Sequence, residues 1–377
     1  MSTKIIILTL PYQRYSLFFP GDIGWLGMSA IISGIQQVGI GVTDLHASWN
    51  WYREQFGMDV PIFNDSAEAT FMSDYTGKVV HSRAAVLAIN MRGGGGFEIW
   101  QFTSRTPERC SFQVMTGDLG VTAIVLKTTD AASLFDLHRR AGIVESVAMQ
   151  TNPNGTLSYY VRDPDGNLFR IVESGNSFSR TRHQCGGVSG VEVGVRNVEE
   201  ALPLYSEVLG YNDVVYDCEG VFADLAGAEG EKRYRRILLR QANPARGSFG
   251  RLFGPSTIEL YSCLDREPRE IYENRFWGDC GFIHVCFDVR QMDELKSASE
   301  TAGFEFTVDS GGSFDMGKAK GRFAYTEDPD GTLIEFVETF KMPILERLNL
   351  YLNLEHRNPE KPLPDWMLKT LKFSRVR

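Results

Sequence analysis

The string Asp163-Pro164-Asp165-Gly166-Asn167-Leu168-Phe169-Arg170 returns later in the chain as Asp328-Pro329-Asp330-Gly331-Thr332-Leu333-Ile334-Glu335. A turn and strand that occur twice imply a fold that is itself duplicated, and that decides every finer assignment. The copies differ at their last residue, arginine in one and glutamate in the other. A carboxylate kept in one copy and lost in its twin points to chemistry in the first and scaffolding in the second.

The repeat is wider than this string. Ile40-Gly41-Val42-Thr43-Asp44-Leu45 leads through a helical run to Trp51-Tyr52-Arg53-Glu54-Gln55-Phe56-Gly57. Val193-Gly194-Val195-Arg196-Asn197-Val198 leads to Leu204-Tyr205-Ser206-Glu207-Val208-Leu209-Gly210. Val42 is as far from Tyr52 as Val195 is from Tyr205, so these are copies of one strand–helix unit. A second pair opens at Gly120-Val121-Thr122-Ala123-Ile124-Val125 and at Gly281-Phe282-Ile283-His284-Val285-Cys286. Each opens as an apolar strand and continues as a helix, over Ala131 to Arg140 and Met292 to Ala302, before a glycine-punctuated meander. The chain is thus four units of roughly 60–85 residues, in the order A, B, A′, B′. The run Gly93 to Gly96 lacks the Lys-Ser/Thr and helix of a phosphate cradle and reads as a hairpin turn.

A length of 377 residues allows two or three domains with a buried core. The net charge of −9 without a long basic run excludes a nucleic-acid surface as the main business. Six cysteines without CxxC spacing read as reduced thiols, and with no clear secretion signal the expectation is a cytoplasmic protein without a membrane partner. Ile5 to Leu10 is too short an apolar run to span a bilayer, and no small-residue cleavage site follows it. Met28 is a candidate start, which would make residues 1–27 an artefact. In the tail, Pro343 to Leu354 is expected as a helix. A Pro-rich joint follows from Pro359 to Pro364, then a short amphipathic run, Asp365 to Phe373, read as a helical strap on the domain.

Side chains alternate between the faces of a strand, so one inward position can be compared across units. In A the opening strand offers Gln37, fifteen residues before Tyr52, and the closing strand Gly96-Phe97-Glu98-Ile99-Trp100 offers Glu98. In B the equivalents are Ala123 and Arg170; in A′, Gly190 and Glu259; in B′, His284 and Glu335. Acids are rare on apolar strands unless paired, and His284 alone among six histidines is central to an apolar strand. Such a histidine is a metal ligand or a hydrogen-bonded core residue. Gln36 would replace Gln37 if the register slipped by one.

Four strand–helix–three-strand units with Asp-Pro-Asp-Gly before the last strand resemble the vicinal oxygen chelate superfamily over about residues 34–339. That superfamily includes glyoxalase I, extradiol dioxygenases and bleomycin-resistance proteins. The resemblance implies an α+β fold of four βαβββ modules, the glyoxalase-like fold, forming two cupped mixed sheets. It divides the chain into an extension (1–33), two domains of two modules each (34–177 and 186–340) and a helical tail (341–377). It also implies that two units pair to place up to four side chains on one divalent metal. Pairing A with B gives Gln37, Glu98, Ala123 and Arg170, a set spoiled by a cation, and leaves Gly190, Glu259, His284 and Glu335 in the other pair. Pairing A with B′ gives Gln37, Glu98, His284 and Glu335, which matches the ligand set of glyoxalase I, and leaves Arg170 to neutralise Glu259. The second arrangement satisfies every buried charge, and unpaired buried charges are costly.

Such a set suits one Zn, Ni, Co, Mn or Fe ion with room for a substrate's adjacent oxygens. The resemblance then implies glyoxalase-I-like proton transfer, a lyase or isomerase reaction through a metal-bound enediolate, with Glu335 as base and Glu98 as a possible partner. Glutathione-dependent members carry arginines where this chain has Gly41 and Cys280, so the expected substrate is a small molecule other than a glutathione adduct. Arg83 and Arg235 or Arg236 are candidates for another anionic group, with surface pairing as their alternative role. The competing readings are an extradiol ring-cleaving dioxygenase, or a metal-free small-molecule-binding protein whose cup is lined by Trp49, Trp51, Trp100, Tyr159 and Tyr160. The expected assembly is a monomer or homodimer.

Overall fold

The structure, a computed structural model, describes residues 30–227, 231–316, 319–345 and 350–376. The features expected before Met28 lie outside these residues.

Unit A comprises β1 (Ile31–Gly41), α1 (Leu45–Phe56), β2 (Val60–Glu68), β3 (Ser82–Ile89) and β4 (Gly96–Phe102). Unit B comprises β5 (Gly120–Thr128), α2 (Ala131–Arg140), β6 (Gln150–Thr151), β7 (Leu157–Arg162) and β8 (Leu168–Glu173). Unit A′ runs through β9 (Cys185–Gly194), α3 (Val198–Pro203), β10 (Asp213–Gly220), β11 (Tyr234–Arg240), the short α4 (Gly250–Phe253) and β12 (Thr257–Cys263). Unit B′ holds β13 (Gly281–Arg290), α5 (Met292–Thr301), β14 (Val308–Asp309), β15 (Phe314–Met316), β16 (Ala319–Glu327) and β17 (Leu333–Leu345). The helices begin where side chains cap them: Asp44 accepts from the Ala47 N–H and Asp130 from the Ser133 N–H. Gly57, in the left-handed region, closes α1.

Two curled mixed sheets result, as expected for this fold. One runs β14-β16-β17-β13-β1-β4-β3-β2 and the other β10-β11-β12-β9-β5-β8-β7-β6. At the centre of the first, β1 lies antiparallel to β13 with Gly39 opposite His284, so A pairs with B′. At the centre of the second, β5 lies antiparallel to β9 with Ala123 opposite Glu192, so B pairs with A′. The sequence division at 177/186 is therefore not a division of the sheets: each sheet takes one unit from either side of it.

Alternation assigns the faces. Val38 and Ile40 of β1, Phe97 and Ile99 of β4, Val285 and Phe287 of β13, and Ile334 and Phe336 of β17 enter one core with Tyr52, Phe56, Leu134 and Leu295 of the helices. Their neighbours Gln37, Glu98, His284 and Glu335 fall on the opposite, cupped face. The two Asp-Pro-Asp-Gly turns tie neighbouring units together beneath the sheets. Tyr52 donates to Asp163 at 2.6 Å and Tyr205 donates to Asp328 at 2.8 Å.

The tail departs from expectation. β17 continues to Leu345, and Leu350–Asn353 form β18 antiparallel to it, where a helix over Pro343 to Leu354 was expected. The period there is two: Leu352 and Leu354 pack inward while Asn353 is exposed. The strap is real farther on, as α6 (Asp365–Leu368) and a 3₁₀ turn over Lys369–Ser374, with Leu368 buried against Phe253 and Val60. Among the described residues no helix is long and apolar enough to cross a membrane.

Candidate metal centre

The four residues singled out from the sequence meet in the first cup, each from a different strand: Gln37 on β1, Glu98 on β4, His284 on β13 and Glu335 on β17. His284 Nε2 lies 3.1 Å from Glu335 Oε2 and 3.4 Å from Glu98 Oε2. Gln37 Nε2 donates to the same two oxygens, at 3.0 Å to Glu335 and 3.2 Å to Glu98. His284 is 1% exposed and Gln37 4%, so the cluster is shielded, with Glu98 its most accessible member. Glycine is required opposite the histidine, because a Cβ on Gly39 would meet the imidazole at 2.5 Å.

The electrostatics couple the imidazole to the two carboxylates. Burial would lower the His284 pKa, but the charge and hydrogen bonding of Glu335, and then of Glu98, outweigh it and raise it to about 9. Burial would raise the Glu98 pKa, but hydrogen bonding and charge from His284, with Arg83 and Gln37, hold it below the ordinary carboxylate value. One buried atom of the cluster nevertheless lacks a hydrogen-bond partner, Gln37 Oε1, and the only groups within reach of His284 Nε2 are the two carboxylates and the Gln37 amide. Rotating the Gln37 amide by half a turn would exchange its nitrogen for that oxygen among the carboxylates, an arrangement only a cation would favour. One amide oxygen, one imidazole nitrogen and two carboxylates fit a first-row divalent ion, and Glu98, His284 and Glu335 offer ligand atoms within 4.8 Å of one another. On the far side of the imidazole, Tyr325 Oη is 3.4 Å from Nδ1.

The second cup receives Ala123, Arg170, Gly190 and Glu259 at the equivalent positions, and Arg170 reaches Glu259 at 3.0 Å. Sequence reasoning found this pair but missed its company. Arg170 also binds Glu192 at 2.9 Å and Asp224 at 2.8 Å, and Arg236 binds Glu259 at 2.7 Å and Asp224 at 2.8 Å. Burial raises the Glu192 pKa above the ordinary value even beside Arg170. Glu192 could have been found, since it lies two residues beyond Gly190 on the same face of an apolar strand. Asp224 sits in a loop and carried no such signal.

The other candidates are dispersed. Arg83 borders the first cup, paired with Asp65, its guanidinium 5.1 Å from the Trp100 ring centre. Arg235 is held by Asp217 and Glu199, while Arg236 is buried in the second cup, a fully internal role. Of the aromatics proposed to line the cup only Trp100 does so. Trp49 and Tyr159 belong to the helix-side core with Trp51 packed against it, and Tyr160 donates to Glu192 at 2.7 Å. The lining that sequence reasoning missed includes Trp277, from the segment joining β12 to β13, which stacks on His284 with ring centres 6.5 Å apart. The same segment covers Gly41, where a Cβ would lie 1.9 Å from the Asp279 carbonyl oxygen.

Residues 34–171, units A and B, match the model of the Glyoxalase/Bleomycin resistance protein/Dioxygenase superfamily. Glyoxalase I from Zea mays superimposes with a TM-score of 0.51 at 14% identity, over 82% of this chain and 92% of the maize chain. A putative dioxygenase from Bacillus subtilis gives 0.51 at 14% identity, over 81% and 85% of the two chains. At such identities the likeness is one of fold. No curated protein sequence matches the chain.

Proposed function

We infer that this chain, with the fold of the glyoxalase, bleomycin-resistance and dioxygenase superfamily and the match of its first two units to that superfamily, is a divalent-metal enzyme acting on a small molecule with vicinal oxygens. The reaction is proton transfer between adjacent carbons, of the lyase or isomerase type. One observation carries the reading: Gln37, Glu98, His284 and Glu335 converge from four strands, with ligand atoms of the two acids and the imidazole within 4.8 Å of one another and Gln37 Oε1 buried without a hydrogen-bond partner. The bound metal would polarise a carbonyl and stabilise the negative charge that develops when a neighbouring proton leaves.

The protein's own groups do the rest. Glu335, 7% exposed at the floor of the cup, takes the proton from the carbon bearing the hydroxyl and returns it, or its equivalent from Glu98, to the former carbonyl carbon. The hydroxyl proton passes to the former carbonyl oxygen, and no electron acceptor is needed, because one C–H and one O–H bond are broken and one of each is made. His284 is held by the neighbouring tyrosine and the Trp277 stack. A glutathione adduct is disfavoured: position 41 tolerates no side chain, and the segment over it is clasped by Asp279, which accepts from the Glu108 N–H at 2.8 Å and pairs with Arg105. Ring-cleaving dioxygenation fits less well, since iron for that chemistry is held by two histidines and one carboxylate and this set has a single imidazole.

Elemental analysis of the purified protein beside His284→Ala and Glu98→Ala tests the site. One stoichiometric divalent metal, lost in both variants, is expected. Glu335→Gln should keep much of the metal yet lose turnover by about 10²–10⁴-fold. Full turnover in that variant would remove Glu335 from its role, and metal-free wild type even after loading would turn the reading to a sequestering protein.

A further inference from the structure

Gln37, Glu98 and Glu335 form only the floor of a cavity of about 170 Å³. Its walls include Phe63, Met72, Trp100, Trp277, Phe323 and Tyr325, from β2, a 3₁₀ turn (Thr70–Tyr75), β4, the β12–β13 segment and β16. All but Phe63 are buried, and together they form an apolar cluster separate from the main core. Among the described residues Arg83 is the only basic one lining it. Its charge is answered by Asp65, so the wall away from the floor offers ring faces and edges more than free charge.

We propose that the substrate carries an aromatic ring beside its vicinal oxygens, and that this wall recognises the ring. The proposal rests on the metal-enzyme reading for the oxygens but on separate residues for the ring. Size supports it, since an apolar cavity of roughly 150 Å³ is known to take up benzene. Geometry supports it too: Trp100 and Trp277 already meet edge to face at 4.4 Å, and Trp277 packs edge to face on Tyr325 at 6.4 Å, an arrangement that another ring extends. The wall is preformed. The Trp277 backbone N–H bonds the Tyr75 carbonyl at 3.1 Å, and the Tyr75 hydroxyl bonds Thr307 at 2.7 Å, which ties the 3₁₀ turn to the segment before β14.

Mandelate, lactate and phenylacetate separate ring from oxygens, because the first has both, the second lacks the ring and the third lacks the hydroxyl. Their binding to metal-loaded protein is read by calorimetry and by tryptophan fluorescence, beside the metal content of each sample. Mandelate should bind about tenfold or more tighter than lactate. Phe323→Leu should shrink that preference at unchanged metal content, and Val337→Phe, which fills the cavity instead of opening it, should exclude mandelate while lactate still binds. His284→Ala should lose the metal and bring mandelate down to the level of phenylacetate. Equal affinity for mandelate and lactate in a protein that holds its metal would overturn the ring proposal and leave the metal reading standing. A ring preference in a protein that holds no metal would support the ring site and overturn the metal reading.

Discussion

In one cup Gln37, Glu98, His284 and Glu335 meet with no arginine between them, whereas in the other Arg170 and Arg236 stand among Glu192, Asp224 and Glu259. Both sheets have the same strand plan, and Glu98 and Glu259 occupy equivalent places. The difference lies in what balances them. In the first cup a single imidazole stands among the carboxylates, whereas the second meets its acids with guanidinium groups whose forked donors suit several carboxylates at once. Two arginines stand against three carboxylates, and Glu192, whose pKa burial raises, is the acid that holds its charge least readily there. On the reading proposed above, the duplicated fold divides its labour, with a metal ion balancing the acids of one half and arginines those of the other.

The largest effect should come from breaking the arginine-balanced side. Arg170→Ala leaves Glu192, Asp224 and Glu259 to share Arg236 alone, at positions nearly closed to water. Removing one partner of a buried pair costs about 3–5 kcal/mol, and urea denaturation should register a loss of that order. His284→Ala in metal-stripped protein should cost less than half as much, because Glu98 and Glu335 are closer to solvent. If the two variants prove equally unstable, the second cup is not the structural half.

This contrast also separates what the sequence makes legible from what it hides. The repeat and the four converging positions follow from local alternation, and the A-with-B′ pairing from the resemblance together with the charge balance of both pairs. They were readable because each rests on residues a few positions apart or on charge balance. Asp224 and Trp277 were not, since both reach their sites from long connecting segments whose path no periodicity predicts. The tail was misread for another reason: a run rich in leucine satisfies a helical pattern and a strand pattern at once, and only pairing with β17 decides between them.

A middle-sized effect should come from the duplicated turns, where the halves behave alike. Burial pushes both Asp163 and Asp328 up to about 6, against the partly opposing hydrogen bonds from Tyr52 and Asn167, and from Thr332 and Tyr205, respectively. A carboxyl with a folded pKa above its unfolded value takes up a proton on folding. Its stabilising contribution is complete below about pH 4 and is lost as pH rises through 6. Each turn should therefore cost up to about 3 kcal/mol between those limits and neutrality. Asp163→Asn and Asp328→Asn should each flatten part of the fall in urea midpoint from pH 5 to 7.5, and by similar amounts. A slope unchanged by either substitution would place the titrating group elsewhere.

The smallest effect concerns one tyrosine that the two halves use differently. Tyr325 lies opposite Glu335 and Tyr160 opposite Arg170 in equivalent strand pairs. Tyr160 donates to Glu192, but Tyr325 faces His284 Nδ1 at 3.4 Å, long for a hydrogen bond. For Nε2 to serve as a ligand, the proton must sit on Nδ1, where Tyr325 Oη is the acceptor that would fix the tautomer and the ring. Groups of this kind are worth about 10–100-fold in metal affinity, and the loose contact argues for the lower end. Tyr325→Phe should weaken retention against a competing chelator by about tenfold, with the fold and the ring wall kept. Tyr160→Phe should leave retention unchanged and cost about 1 kcal/mol of stability instead. Unaltered chelator competition in Tyr325→Phe would mean that this tyrosine only packs, and that the imidazole is oriented by the Trp277 stack alone.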